Sequence, residues 1–270
     1  MKARYLRWLM LVCLSPACPD LLAQPGGTNE PTYKSGYSSM IRLGADIYRA
    51  LQPDHQKLLS PHPVMLETGV MPYVKPMEVK YDDDPQPIRG VFVSAGFVDL
   101  VNFVAHAKAI DRLDKGYFRK YVASLSRETG ETWLSEIPRI SDRRYWADSV
   151  MNEQLSNFNQ MAGMIVAIEL AHHYLGHYRK YADKLTDTRG GAVPIKNLLT
   201  ESEWEAALEA GARNALNGGL GVEGLQALYE CIDQMPQRPA WTAYFLPVNA
   251  RVSKINRELE RIQNRSFMGR

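Results

Sequence analysis

Residues 146–182 run without a proline, and Val150, Leu155, Phe158, Met161, Ile165, Ile168 and Leu175 recur there at the spacing of one helix face. Such a segment reads as one long helix, apolar enough in its middle to be buried, and the remaining elements have to pack around it. It also concentrates the histidines. The chain has six, and His172, His173 and His177 all fall in the stretch Ile168–His177, IELAHHYLGH. Imidazoles in a buried helix need hydrogen-bond partners or a metal ion, so chemistry is sought here first.

Other apolar stripes predict further helices. Met40, Ile41, Leu43, Ile47, Tyr48 and Leu51 form one from Ser38, stopped by Pro53. Phe97, Leu100, Val101, Val104 and Ile110, continued by Tyr117, Tyr121, Val122 and Leu125, make one or two helices over 97–126. Thr200 with Glu203 three residues later is a capping-box pattern, and Asn217-Gly218-Gly219 closes the helix it opens. Residues 222–232 and 249–263 supply two more. Only Met77–Tyr81, ahead of the acidic Asp82-Asp83-Asp84 turn, and Ile88–Ser94 read as strands. The expected fold class is mainly α with a small β-sheet, an α+β arrangement.

The start of the chain reads as an export signal. Lys2, Arg4 and Arg7 precede an apolar run, Trp8–Cys13, and a small-residue site near Ala23, and the run is too short to span a bilayer. The organisation expected is a signal peptide over 1–23, a flexible leader over 24–37 and a single domain over 38–270, in a protein delivered to a periplasm or outside the cell. Acylation at Cys18 is the alternative, and Ser15-Pro16 before it fits that pattern poorly. Losing residues 1–23 takes Lys+Arg from 32 to 29 and Asp+Glu from 30 to 29. A chain so nearly neutral argues against a nucleic-acid partner. The mature chain keeps one cysteine, Cys231, so stability has to come from the core rather than from an internal disulfide.

The stretch Ile168–His177 resembles the HExxH helix of zinc metallopeptidases, in which two histidines four apart hold the metal and the Glu after the first acts on the bound water. The first histidine of that motif is Ile168 here. Downstream, Glu203-Trp204-Glu205-Ala206-Ala207 followed by Gly211 looks like the E-x-E-A-D segment of gluzincin-type peptidases related to the CAAX prenyl protease and its periplasmic homologues, with Ala207 in place of the Asp. Gly90–Gly96, GVFVSAG, looks like the edge strand on which those enzymes lay an extended substrate. The resemblance spans roughly residues 88–235, with a long helical insertion between the strand and the metal helix. It implies a zincin-like core, Glu169 as general base, His172 and Glu203 as zinc ligands, and a peptide or protein substrate.

An isoleucine cannot coordinate, so the resemblance leaves one ligand to be supplied from elsewhere. His173 and His177 repeat the spacing of the motif and lie on one helix face with Glu169, but that face is turned about 100° from the Ile168–His172 face. His106, on another helix, is a third source. Three functions stay open on these residues. One is an exported zinc endopeptidase working through Glu169; the second is a catalytically inactive homologue that binds a partner or serves as scaffold; the third is a histidine-rich metal-binding protein. A simpler reading of the cluster, Glu169 pairing with His173 one turn on, needs no ligand at all.

Overall fold

The computed structural model describes residues 33–81, 84–186 and 191–268. The export signal, the leader as far as residue 32, and Asp82 and Asp83 lie outside the described residues. The long helix is α5, Asp148–Tyr174, and every residue from Met161 to His172 is buried. A helix apolar around its whole circumference has to be enclosed on all sides. Here α3 (Ala95–Ile110), α7 (Glu201–Asn217), α8 (Glu223–Asp233) and α1 (Tyr33–Ala50) enclose it. The helix α1 begins five residues earlier than the apolar stripe indicated, inside the stretch read as leader.

The remaining helices are α2 (Pro53–Gln56), α4 (Tyr117–Leu125), α6 (His177–Tyr181) and α9 (Val252–Met268), so the chain is mainly helical with a three-stranded sheet, an α+β fold. Among the described residues no helix is long and apolar enough to cross a membrane.

The sheet has the order β1 (Val64–Glu67), β3 (Asp84–Ser94), β2 (Val74–Tyr81). On one side β1 runs parallel to β3, with Val64 opposite Val91 and Glu67 opposite Ser94. On the other, β2 runs antiparallel, with Val74 opposite Val93 and Met77 opposite Gly90. Residues 90–94 therefore sit in the central strand, and the expectation that they form a free edge is corrected. Their backbone groups are used by β1 and β2, which leaves none for an added strand. Ser94 ends β3 and caps α3, its hydroxyl accepting from Phe97 N–H at 3.0 Å.

Two local features set the geometry around the histidines. The single helix expected over 146–182 is broken: Gly176 takes φ 79°, a left-handed conformation that costs glycine little, and α6 starts afresh at His177. Gly211 on α7 lies against α5 so closely that a Cβ there would meet Ile168 Cα and N at 2.6 Å. The two helices thus touch backbone to backbone at the position where the metallopeptidase motif would have its first histidine.

Candidate functional site

Glu169 and His172 are one helical turn apart on α5, and both are buried. Glu169 faces the short 3-10 turn Ile195–Asn197, from which the Lys196 ammonium bonds to its Oε1. Both side chains are 1 % exposed. Lys196 also passes over Trp204, its Nζ 5.7 Å from the ring centroid, a contact favourable to a desolvated cation. Burial pushes the Glu169 carboxyl up, and the charge and hydrogen bond of Lys196 oppose that push.

His172 is bound on its other side. Its Nδ1 lies 3.1 Å from His177 Nδ1, so one ring donates and the other accepts. The turn at Gly176 makes this possible by folding α6 back, so that His177 meets His172 and not His173. Burial pushes the His172 pKa well below that of an ordinary imidazole, and the charge of Lys196 adds to the push. Burial also lowers His177, with the Glu203 carboxylate pulling the other way. Burial thus disfavours the charged form of both rings.

His173 leaves the cluster altogether. Its Nε2–H donates to the Gly90 carbonyl of β3 at 2.8 Å and its ring packs on Tyr178, fastening α5 to the sheet. Burial takes its pKa down to about 4. The face shared by Glu169, His173 and His177 on an unbroken helix therefore does not form, and Glu169 pairs with Lys196 instead of His173. His106 is committed elsewhere, its Nε2 lying 2.7 Å from the Tyr145 carbonyl and its ring edge-on to Trp146.

Glu203 is found where the capping box places it. Its Oε2 accepts from Thr200 N–H at 2.9 Å and from the Tyr181 hydroxyl at 2.9 Å, and its Oε1 accepts from Lys180 at 2.7 Å. These bonds, the one from Lys180 first, hold its carboxyl down at about 2. Glu203 is close enough to His177 to influence it electrostatically, but its oxygens are occupied by helix capping and by α6.

The structure thus gathers Glu169, His172 and His177, stations Glu203 at their margin, and turns His173 away. Sequence reasoning did not single out Lys196. Its one signal is a lone charge in an apolar run, Pro194-Ile195-Lys196-Asn197-Leu198-Leu199. Lys180 and Tyr181, which occupy Glu203, carry none.

These residues do not fit a zinc ion. A catalytic zinc wants three protein donors around one point. Position 168 offers a hydrocarbon chain, the oxygens of Glu203 are spent, and an ammonium is already bonded to Glu169. Among the described residues no group of three His, Cys, Asp or Glu side chains is arranged to hold a metal ion. A dication beside Lys196 in a pocket closed to bulk solvent would also face strong like-charge repulsion.

On the outer side of Lys196 and Trp204 lies a groove of about 1160 Å³, bounded by α7 and by the segment from Pro247 into α9. Leu199, Leu208 and Ile255 give it apolar surface, and Arg251, Lys254 and Glu205 stand among its charged lining. No family model matches the chain, and neither a curated protein nor a solved structure matches it.

Proposed function

We propose that this chain is an exported, non-hydrolytic relative of zinc metallopeptidases that acts by binding a peptide or protein partner, its metal site rebuilt around an internal cation. The reading joins the zincin-like resemblance of residues 88–235 to one observation, the buried bond between Lys196 and Glu169. A general base has to reach a water held for attack, and a metallopeptidase polarises that water with its ion. In this chain the matching carboxylate is bonded to a lysine in a pocket closed to solvent. The cation is supplied by the protein, and it carries no open position for a water or a scissile carbonyl.

The groove beside Trp204 supports the binding half of the reading. Its apolar surface suits side chains, and Arg251 in its lining suits a charged end of a peptide, whereas Lys254 is bonded to Glu201 and Glu205. It lies against the outer face of Lys196, so the rebuilt centre serves as its rigid backing. In this reading the export signal expected over residues 1–23 delivers the chain to a partner in the periplasm or outside the cell.

The test is peptide hydrolysis by the mature protein over a mixed peptide library, with and without added zinc, beside the Glu169→Gln variant. No cleavage by either protein is expected. Zinc-dependent cleavage that disappears in Glu169→Gln would establish the hydrolytic alternative.

A further inference from the structure

Two buried polar atoms of α5, Glu169 Oε2 and His172 Nε2, have no hydrogen-bond partner. They face each other at 4.0 Å, too far for a direct bond. Orphaned groups this deep are costly, and two within one helical turn call for a shared partner.

We propose that one internal water is bound between Glu169 Oε2 and His172 Nε2. The inference rests on the reading of the site as metal-free. The geometry suits an oxygen atom: placed about 2.8 Å from both atoms, it subtends an angle of about 90°, within what water accepts. The proton inventory suits it as well. When His177 Nδ1–H donates to His172 Nδ1, the His172 proton sits on Nε2 and points at the gap. The water then accepts from His172 Nε2–H and donates to Glu169 Oε2, two bonds, within the range of buried waters. The result is one chain, Lys196, Glu169, water, His172, His177, tying the 3-10 turn, α5 and α6 together.

Such a water keeps the carboxylate partner it would have in a hydrolytic centre but has an imidazole where the metal ion would be, and the ammonium, placed on the other oxygen of Glu169, does not polarise it for attack. It acts as a strut.

The experiment is a crystal structure of the mature protein at a resolution that orders water, collected with anomalous data at the zinc edge after zinc loading. One non-anomalous peak within hydrogen-bonding distance of Glu169 Oε2 and His172 Nε2 is expected. Direct contact between Glu169 and His172 with no density between them would overturn the water and leave the metal-free reading standing. An anomalous peak at the same place would overturn both.

Discussion

The Lys196 ammonium is bonded to the Glu169 carboxylate with both side chains closed to solvent. A charged pair in such a place is held by mutual need: each ion alone is far worse off than both or neither. That relationship orders the predictions below.

Removing only the cation leaves a buried carboxylate. Lys196→Met is expected to lower stability by about 3–5 kcal/mol, and the double variant Lys196→Met, Glu169→Leu to recover most of that loss. Urea unfolding of the four members of the cycle measures this, and a double variant no more stable than Lys196→Met contradicts it.

Ile168 is the residue that a simple repair of the motif would change. Its backbone touches Gly211, and its side chain is fully buried. Ile168→His therefore puts an imidazole into a packed apolar contact with no polar partner, at a cost of about 2–5 kcal/mol, and is expected to gain neither zinc nor hydrolysis. Thermal unfolding with and without zinc reads both effects. A higher Tm in the presence of zinc would show that the site can be repaired by one residue.

Glu203 has a structural duty that does not depend on any metal. Glu203→Ala removes the reciprocal cap with Thr200 and the bonds from Tyr181 and Lys180, and should cost about 1–2 kcal/mol. Glu203→Gln retains an acceptor and should cost less. Equal losses in the two variants, measured by chemical denaturation, would show that the cap is not what Glu203 supplies.

Acid should destabilise the fold through its imidazoles. Burial depresses His172, His173 and His177 below the ordinary value of 6.5, His173 to about 4. Their contribution is complete above about 6.5, where the unfolded chain is also neutral, and is lost as pH falls toward 4. His173 alone accounts for on the order of 3 kcal/mol. Lys196, Lys180 and Arg89 face these rings and oppose their protonation, whereas Glu203 and Glu78 favour it. Glu169, pushed up by burial, runs the other way, losing stability as pH rises above the ordinary 4.5. Urea midpoints should fall between pH 7 and pH 4.5, and His173→Gln should flatten the decline; a flat profile in the parent protein contradicts the account.

Much of the fold was legible because it is periodic. The stripe through α5, the Thr200–Glu203 cap and the end of α7 all follow from local spacing, and each is found in the structure. The role of residues 90–94 was not, since a strand becomes central through its neighbours. The parallel partner β1 is four residues long and follows Pro61 and Pro63, which hide it. The break at Gly176 had a visible cause, a lone glycine after Leu175, but the apolar rhythm on either side covered it. At the site, Glu169 and His172 were readable from one helical turn. The partner that decides their chemistry, Lys196, lies 27 residues on, and nothing local marks a lysine that the tertiary fold will bury.

The most direct measurement is elemental analysis of the protein after zinc loading and exhaustive dialysis, alongside His172→Ala and Glu203→Ala. The account predicts well under one zinc per chain in all three. About one zinc per parent chain, lost in both variants, would contradict it and restore His172 and Glu203 as ligands of a working metal site.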